Sequence, residues 1–352
     1  MAIVGVGNCA SALIQGVHYY KNAKSDEVIP GLLHTEFGEY HIKDIKFVTA
    51  FDIDSRKVGK DLGEAIYSEP NNTRIFCKIP LLGVEVLKGN VLDGVGKYVQ
   101  PILKIDPNDP PVDVASVLRE KGANIVINYL PVGSDRATKW YAQQAIKAEC
   151  AFICCMPSFI ASTQVWQKKF EKAKLPVAGD DVMGQIGATV LHKTIAKLLV
   201  DRGVAIDESY QLNIGGDTDF LNMIEEERLV SKRISKTSAV QAMIPYPVPL
   251  KIGPSDYIPF LNNTKICYIW LKGKYFGDTP VRIDVKLDVT DSPNSAGIVV
   301  DVIRATQLAL DRGIQGPLTS ISAYAFKHPP IQVSYDTAKL WVEEFIEGKR
   351  ER

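Results

Sequence analysis

The first ten residues constrain the fold more than any other stretch of this chain. Ala2-Ile3-Val4 is an apolar, β-prone run, and Gly5-Val6-Gly7-Asn8-Cys9-Ala10 follows it directly as G-x-G-x-x-A. Residues 11–17 then read as a helix. In such a turn Gly5 permits the tight reversal and Gly7 lets the backbone approach a pyrophosphate, while the small Ala10 lets the helix lie close to the strand. Free N–H groups at the helix start, around Asn8 and Cys9, can receive phosphate oxygens. A strand, glycine turn and helix in this order predict a doubly wound parallel sheet that binds a dinucleotide.

The second half of that fingerprint is an acid closing the second strand. Residues 45–51 (IKFVTAF) read as a buried strand, and Asp52 follows. A carboxylate there accepts both ribose hydroxyls and repels a 2′-phosphate, which favours NAD over NADP. Gly7 to Asp52 spans 45 residues, where about 20 is usual, so residues 20–43 are expected to be an inserted loop. Arg56 and Lys57 stand close enough to keep an NADP reading open.

Strand and helix then alternate. After an irregular region over 67–112, residues 124–130 predict a buried strand ending in Pro131-Val132-Gly133-Ser134, a loop placed where ligands sit in open α/β sheets. A helix over 139–147 carries Tyr141; a strand over 151–156, a helix over 166–174 and a short strand over 175–178 follow. Next, Gly179-Asp180-Asp181-Val182-Met183-Gly184-Gln185 opens an apolar helix reaching about residue 200. One aspartate there suits a helix cap, leaving the other to carry a proton or hold a cation.

The segment 213–240 bears the chemistry. It opens on Gly215-Gly216-Asp217-Thr218-Asp219 and ends in Ser231-Lys232-Arg233-Ile234-Ser235-Lys236. On a helix Lys232 and Lys236 share a face and repel, so an anion between them turns a cost into binding. A phosphate ester fits, with serine hydroxyls as further donors, although most such pairs are plain solvated surface. Residues 253–256 read as a turn. The alternation over 265–288 predicts antiparallel strands joined at Gly277-Asp278, and Tyr268, Trp270 and Phe276 suggest that these strands meet a partner subunit. Asp291-Ser292-Pro293-Asn294-Ser295-Ala296 caps a long helix over 297–312, and a last helix over 336–347 is expected to pack back on the first domain. The expected layout is a dinucleotide domain over 1–200, completed by 310–352, and an α+β catalytic and oligomerisation domain with a largely antiparallel sheet over 201–309.

Composition narrows the class by exclusion. Forty-one basic residues balance forty-one acidic ones, which argues against a nucleic-acid or membrane-surface protein. No apolar run approaches the roughly 20 residues of a membrane span. The six cysteines show no C-x-x-C spacing and read as reduced thiols of a cytoplasmic protein.

Taken together, GVGNCASAL, NYLPVGS, GDDVMGQIGAT, LNIGGDTDFLNM, SKRISKT, GPSDYIPFL and DSPNSAG, in order from residue 2 to about 347, closely resemble the bacterial form of myo-inositol-1-phosphate synthase. The resemblance implies conversion of D-glucose 6-phosphate to 1D-myo-inositol 3-phosphate with recycled NAD: oxidation at C5, proton loss at C6, an intramolecular aldol joining C6 to C1, and return of the hydride. It places Lys232 and Lys327 at the C5 oxygen, Lys236 on the phosphate near Gly184 and Gln185, and Lys265 on the phosphate or the aldehyde oxygen. Asp180, Asp219 and Asp291 would orient these lysines and relay protons. Asp61, Tyr141, Gly184 and Asp219 would also touch NAD, with Lys232 beside it. A homotetramer is implied, and a mono- or divalent cation is allowed without named ligands. Where the family reads G-D-D-x-K-S-Q and G-G-N, this chain has Met183-Gly184 and Asp217, so a lysine and a serine are missing and a negative charge is added near the expected phosphate. A net NAD-dependent oxidoreductase on another small phosphorylated or carboxylated substrate, and an inactive NAD-binding regulator, are the competing readings.

Overall fold

The structure, a computed structural model, describes every residue except Asp26, and of Pro254 only the backbone. The first eight strands are β1 (Ala2–Val4), β2 (Glu36–Phe37), β3 (Tyr40–His41), β4 (Thr49–Asp52), β5 (Val86–Lys88), β6 (Ile125–Asn128), β7 (Ala151–Cys154) and β8 (Pro176–Gly179). Among them lie α1 (Asn8–Tyr19), α2 (Leu62–Ala65), α3 (Val114–Glu120), α4 (Asp135–Lys147) and α5 (Gln164–Ala173). Then come α6 (Ala188–Asp201), β9 (Ala205–Gly215), α7 (Thr218–Met223), α8 (Val230–Gln241), β10 (Leu250–Tyr257), β11 (Thr264–Tyr275) and β12 (Thr279–Thr290). Helix α9 (Asp291–Asp311), β13 (Gly316–Pro317), α10 (Thr319–Ala325) and α11 (Tyr335–Ile346) follow.

Seven strands form a parallel sheet in the order β13-β8-β7-β6-β1-β4-β5. Helices cover both faces, so the strands are short apolar runs whose alternate residues enter different cores. Ile125, Ile127 and Ile153 pack with Leu13 of α1 and Val299 of α9, whereas Val126, Phe152 and Cys154 pack with Leu118, Tyr141 and Phe170. Burying side chains of this size contributes about 1.5–3 kcal/mol each. Cys154 and Cys155 fall in opposite cores, as strand alternation requires. The strand order reverses around β1, and the carboxyl ends of strands at such a reversal leave a crevice for a ligand.

The second sheet has the order β10-β9-β11-β12; β9 pairs parallel with β10 and antiparallel with β11, which pairs antiparallel with β12. One face is closed by α6 and α8 through Ala196, Leu199 and Val240 against Cys267, Ile269 and Leu271. The other leaves Tyr210, Leu212 and Tyr268 partly exposed, with Tyr210 stacked on Trp270 at 5.3 Å. The turn at Gly277-Asp278 is present, with both residues at positive φ.

Two expectations need correction. The stretch 20–43, apart from Asp26, which lies outside the described residues, is more than a loop: it holds the β2–β3 hairpin with Phe37 fully buried, and His34 bonds Asp301 and Glu343. Residues 253–256 are no turn between elements; they lie within β10, where the pairing to β9 shifts between Ile252 and Ser255. Helix α9 shares a core with the first sheet and α1, where its buried residues Val299, Val302 and Ile303 pack with Leu13 and Ile14.

Candidate active site

A cavity of about 260 Å³ opens at the reversal point and reaches from the glycine turn to α8 and β11. At its near end Gly7 precedes α1, and a Cβ there would meet no atom within 4 Å, so the backbone lies open to the cavity. Gly5 has φ +90°, and a Cβ on it would come 2.9 Å from Tyr129 O. Glycine is required there for both reasons. Asn8 and Cys9 line the same end, whereas Ala10 is fully buried and serves the packing of α1.

Asp52 closes β4 beside this turn. Its Oδ2 accepts from Val6 N at 2.8 Å, and Oδ1 accepts from Ile53 N at 2.7 Å and Asp54 N at 3.0 Å. The two nearby cations are spent. Arg56 donates to Asp54 Oδ1 and Ile102 O at 2.9 and 2.7 Å, and Lys57 donates to Val6 O and Asn71 Oδ1 at 2.8 and 2.9 Å. A 2′-phosphate would therefore meet a carboxylate without a free partner. Pro131, Tyr141 and Gly184 also line the cavity. These residues fit a dinucleotide: an open glycine turn, a helix N-terminus and an acid at the end of the second strand.

Two residues expected at the cofactor stand elsewhere. Asp61 caps α2 and accepts from Gly63 N, Leu82 N and Val84 N at 2.7, 2.9 and 3.1 Å, so its carboxylate is consumed by backbone. Ser134 is buried outside the lining and donates to Pro131 O, shaping that loop from behind.

The far end gathers four amines from three parts of the chain. Helix α8 supplies Lys232 and Lys236 one turn apart, β11 supplies Lys265, and the segment after α10 supplies Lys327. Lys232 Nζ lies 2.7 Å from Asp219 Oδ2, Lys265 Nζ 3.2 Å from Asp291 Oδ1, and Lys327 Nζ 2.7 Å from Asp181 Oδ1. Among the described residues, Lys236 has no carboxylate within 4.0 Å. Burial, then repulsion from Lys232, Lys265 and Lys327, pushes the Lys236 amine well below its ordinary value. Lys327 is lowered by burial and by Lys265 and Lys232, with Asp181 opposing. Lys265 goes the other way: burial lowers it, but Asp291, Asp219 and Asp217 outweigh that and hold it charged. For Asp219, burial alone would raise the carboxyl, yet Lys232, Lys265 and Lys236 keep it below the usual range. Asp217, buried beside Asp291 and Asp219, is raised to about 7.

Asp180 is the main correction at this end. It is fully buried outside the cavity, and its carboxylate accepts from the backbone N–H groups of Ile160, Ala161 and Ser162 and from the Ser162 hydroxyl. The neighbouring Asp181, at φ +63°, turns into the cavity instead. Backbone bonds from Lys327 N to Asp181 O and from Asp180 N to His328 O run the two segments side by side, which delivers Lys327 to Asp181. Ser235, expected to face an anion, donates to Asp181 Oδ2 at 2.6 Å. Asn213 and Gln211 line the cavity as well; their signal was the alternation Ser209, Gln211, Asn213 along a strand, which puts polar groups on an inward face. Among the described residues no group of three or more His, Cys, Asp or Glu side chains is arranged to hold a metal ion.

A doubly wound dinucleotide fold whose crevice ends in paired lysines and carboxylates defines a class, the two-domain dinucleotide-dependent enzymes. Known proteins narrow it. Residues 187–292 match the family model for myo-inositol-1-phosphate synthase. The inositol-3-phosphate synthase of Mycolicibacterium smegmatis is 50% identical over 355 residues, covering 99% of this chain and 98% of that protein. The inositol-3-phosphate synthase of Mycobacterium tuberculosis is 50% identical over 351 residues, covering 99% and 95%. A solved myo-inositol-1-phosphate synthase-related protein from Thermotoga maritima superposes with a TM-score of 0.80 at 23% identity, covering 98% of this chain and 97% of that one, and shows the shared fold. The chain belongs to the myo-inositol-1-phosphate synthase family.

Proposed function

We propose that this enzyme converts D-glucose 6-phosphate to 1D-myo-inositol 3-phosphate with NAD as a recycled cofactor. The observation that carries this reading is the convergence of Lys232, Lys236, Lys265 and Lys327 on the end of the dinucleotide crevice, three with a carboxylate and, among the described residues, Lys236 without. An anion is what the unpaired amine lacks, so Lys236 takes the substrate phosphate. Gly5, Gly7, Asn8, Cys9, Asp52, Pro131, Tyr141 and Gly184 would hold the dinucleotide, and Asp52 favours NAD. When bound, NAD supplies the hydride acceptor for C5 and gives that hydride back after ring closure.

The chain's own groups handle protons and charge. Lys327, its amine lowered by burial and by Lys265 and Lys232, takes the proton of the C5 hydroxyl and passes it to Asp181. Lys232, fixed by Asp219, stays at the C5 oxygen and stabilises the enolate formed when C6 gives its proton to the dianionic phosphate of the substrate. The C6–C1 bond then forms as C6 attacks the aldehyde carbon, and Lys265, held charged by Asp291, stabilises and protonates the C1 oxygen.

The remaining readings rest on lesser observations. A domain boundary near residue 290 is supported by the packing of α9 on α1. The open face of the second sheet suits a homotetramer, and six free cysteines suit the cytoplasm.

The test is turnover with glucose 6-phosphate and substoichiometric NAD. Many equivalents of sugar consumed per NAD, with no lasting absorbance from reduced nicotinamide, is the expected result. Consumption that halts at one equivalent would mean a net dehydrogenase, and none at all an inactive binding protein.

A further inference from the structure

The segment that leads into α8 is fastened to the dinucleotide side of the crevice. A 3-10 turn (Glu226–Leu229) follows α7 and runs straight into α8, so Arg228 stands four residues before Lys232. Its guanidinium bridges the two loops that follow β5 and β6: Nε donates to Val132 O at 3.0 Å and Nη2 to Asp93 O at 2.8 Å. Asn222 Nδ2 donates to the same Val132 carbonyl at 2.7 Å, and Glu225 Oε2 accepts from Lys97 N at 2.9 Å. Val132, fully buried, packs with Phe220, Met223 and Leu229 in a small core of its own. Two glycines make the seat. A Cβ on Gly133, at φ +81°, would come 2.7 Å from Arg228 Cβ, and one on Gly96 would come 2.4 Å from Asn222 Oδ1.

Both loops also wall the cavity. Leu92 and Gly94 flank Asp93, Pro131 precedes Val132, and all three line it, as do Val99 and Leu103 further along the first loop. That loop begins and ends beside the ribose-binding acid: Gly89 N donates to Asp52 O at 2.9 Å, and Ser55 N to Lys104 O at 2.7 Å. It therefore encloses the adenosine end of the crevice. From Lys88 to Val114 the chain is a loop broken by a 3-10 turn (Gln100–Ile102). A loop so long and so poor in regular structure opens readily unless something holds it. A guanidinium has five donors and no acceptor, so Arg228 reaches both carbonyls only while the two loops stand together. A ligand seated between those loops favours the same arrangement.

We propose that Arg228 is a positioning residue: it makes the placement of Lys232 and Lys236 on α8 depend on whether the adenosine half of the dinucleotide is seated against the 92–103 and 131–134 loops. Binding at that end and binding of the sugar phosphate at the lysine end then favour each other by one and the same factor. The substrate named here rests on the synthase reading above; the link from the loops to α8 does not, because it is made by the contacts of Arg228, Asn222 and Glu225.

The probe is ADP, which carries adenosine and pyrophosphate but has no nicotinamide to touch a sugar or accept a hydride. Titration calorimetry should show glucose 6-phosphate binding to wild type about five- to tenfold more tightly when ADP is saturating, the lower end of ordinary coupling. In Arg228→Met, ADP should leave the sugar phosphate affinity unchanged, and kcat with NAD should fall by up to about a hundredfold, as displaced catalytic groups require. Absent coupling or competition in wild type, or full coupling in the variant, overturns the proposal and leaves the synthase reading standing. A second measurement needs no variant to fold. Amide hydrogen exchange of wild type should slow on ADP binding over 92–103 and also over 230–236, at the lysine end; protection confined to the loops and the glycine turn refutes the link. Protection over 230–236 in a protein that binds no glucose 6-phosphate would remove the synthase reading and keep the link.

Discussion

Lys327 Nζ and Asp181 Oδ1 lie 2.7 Å apart, and the other oxygen of that carboxylate accepts from Ser235. One aspartate thus joins the segment after α10 to helix α8 at the floor of the cavity. Asp181 opposes the burial that lowers the Lys327 amine, so removing its charge should lower that amine further. Asp181→Asn is expected to cut kcat by roughly 10²–10⁴, the range of a lost acid–base group, and to move the acidic limb of the pH–rate profile to lower pH. Asp180→Asn should behave differently. It sets an amide donor against backbone N–H groups, costing about 1–3 kcal/mol of stability, with kcat of the folded fraction nearly intact. Steady-state kinetics beside thermal unfolding separates the two, and equal loss of kcat in both variants would contradict the assignment.

Lys236 sets substrate binding against stability. An amine whose folded value lies below its ordinary 10.5 disfavours folding while charged; the penalty is full below the folded value and disappears above 10.5. Lys236→Met removes a buried amine whose charged form is disfavoured by burial and by the neighbouring lysines. It should raise Tm at pH 7, by roughly 2–4 °C for each kcal/mol relieved, while raising KM for the sugar phosphate steeply and leaving NAD affinity unchanged. Calorimetry and titration calorimetry check both halves; a lower Tm would show that the amine is satisfied without ligand.

The parts of this design that follow local rules were legible before the structure. The glycine turn, Asp52 and the buried strands of the first sheet are dictated by backbone geometry and apolar runs. Lys232 and Lys236 were paired by helical spacing alone. What was not legible depends on contacts distant in the chain. Nothing local separates Asp180 from Asp181; a positive φ and a strand-like pairing with residues 326–328 decide which one meets the cavity. Asp61 looked like a ligand residue until the 82–84 backbone, far along the chain, claimed its carboxylate.

Asp52 makes a prediction about cofactor choice. Its carboxylate faces the cavity while Arg56 and Lys57 are tied to protein acceptors. Asp52→Ala should weaken NAD by about tenfold or more, the cost of a lost charged hydrogen bond, and barely change sugar phosphate affinity. It should also narrow the preference for NAD over NADP without reversing it: Lys57, whose amine lies 4.0 Å from Asp52 Oδ2, loses that carboxylate but stays bonded to Val6 O and Asn71 Oδ1. Titration of both dinucleotides is the check, and NADP binding tighter than NAD in the variant would show that Arg56 or Lys57 is available after all.

His34 ties the 20–43 insertion to α9 and α11, and it supplies a pH dependence far from the chemistry. Its ring contacts Asp301 Oδ2 at 2.7 Å and Glu343 Oε1 at 3.2 Å, while Arg304 holds the other oxygen of Asp301 and the carbonyls of His34 and Thr35. Burial lowers the imidazole, but the two carboxylates outweigh it and raise it above 6.5. A base raised on folding stabilises the native state fully below its unfolded value, and that contribution fades as pH climbs through the folded value. Wild type should therefore lose stability between about pH 6.5 and the raised folded value, in a step that His34→Gln lacks. Turnover at fixed temperature should be unchanged, because His34 lies outside the cavity. Denaturant unfolding at half-unit pH intervals for both proteins measures it. Parallel pH profiles would mean that folding leaves the titration of His34 unshifted and that Arg304 alone anchors the insertion.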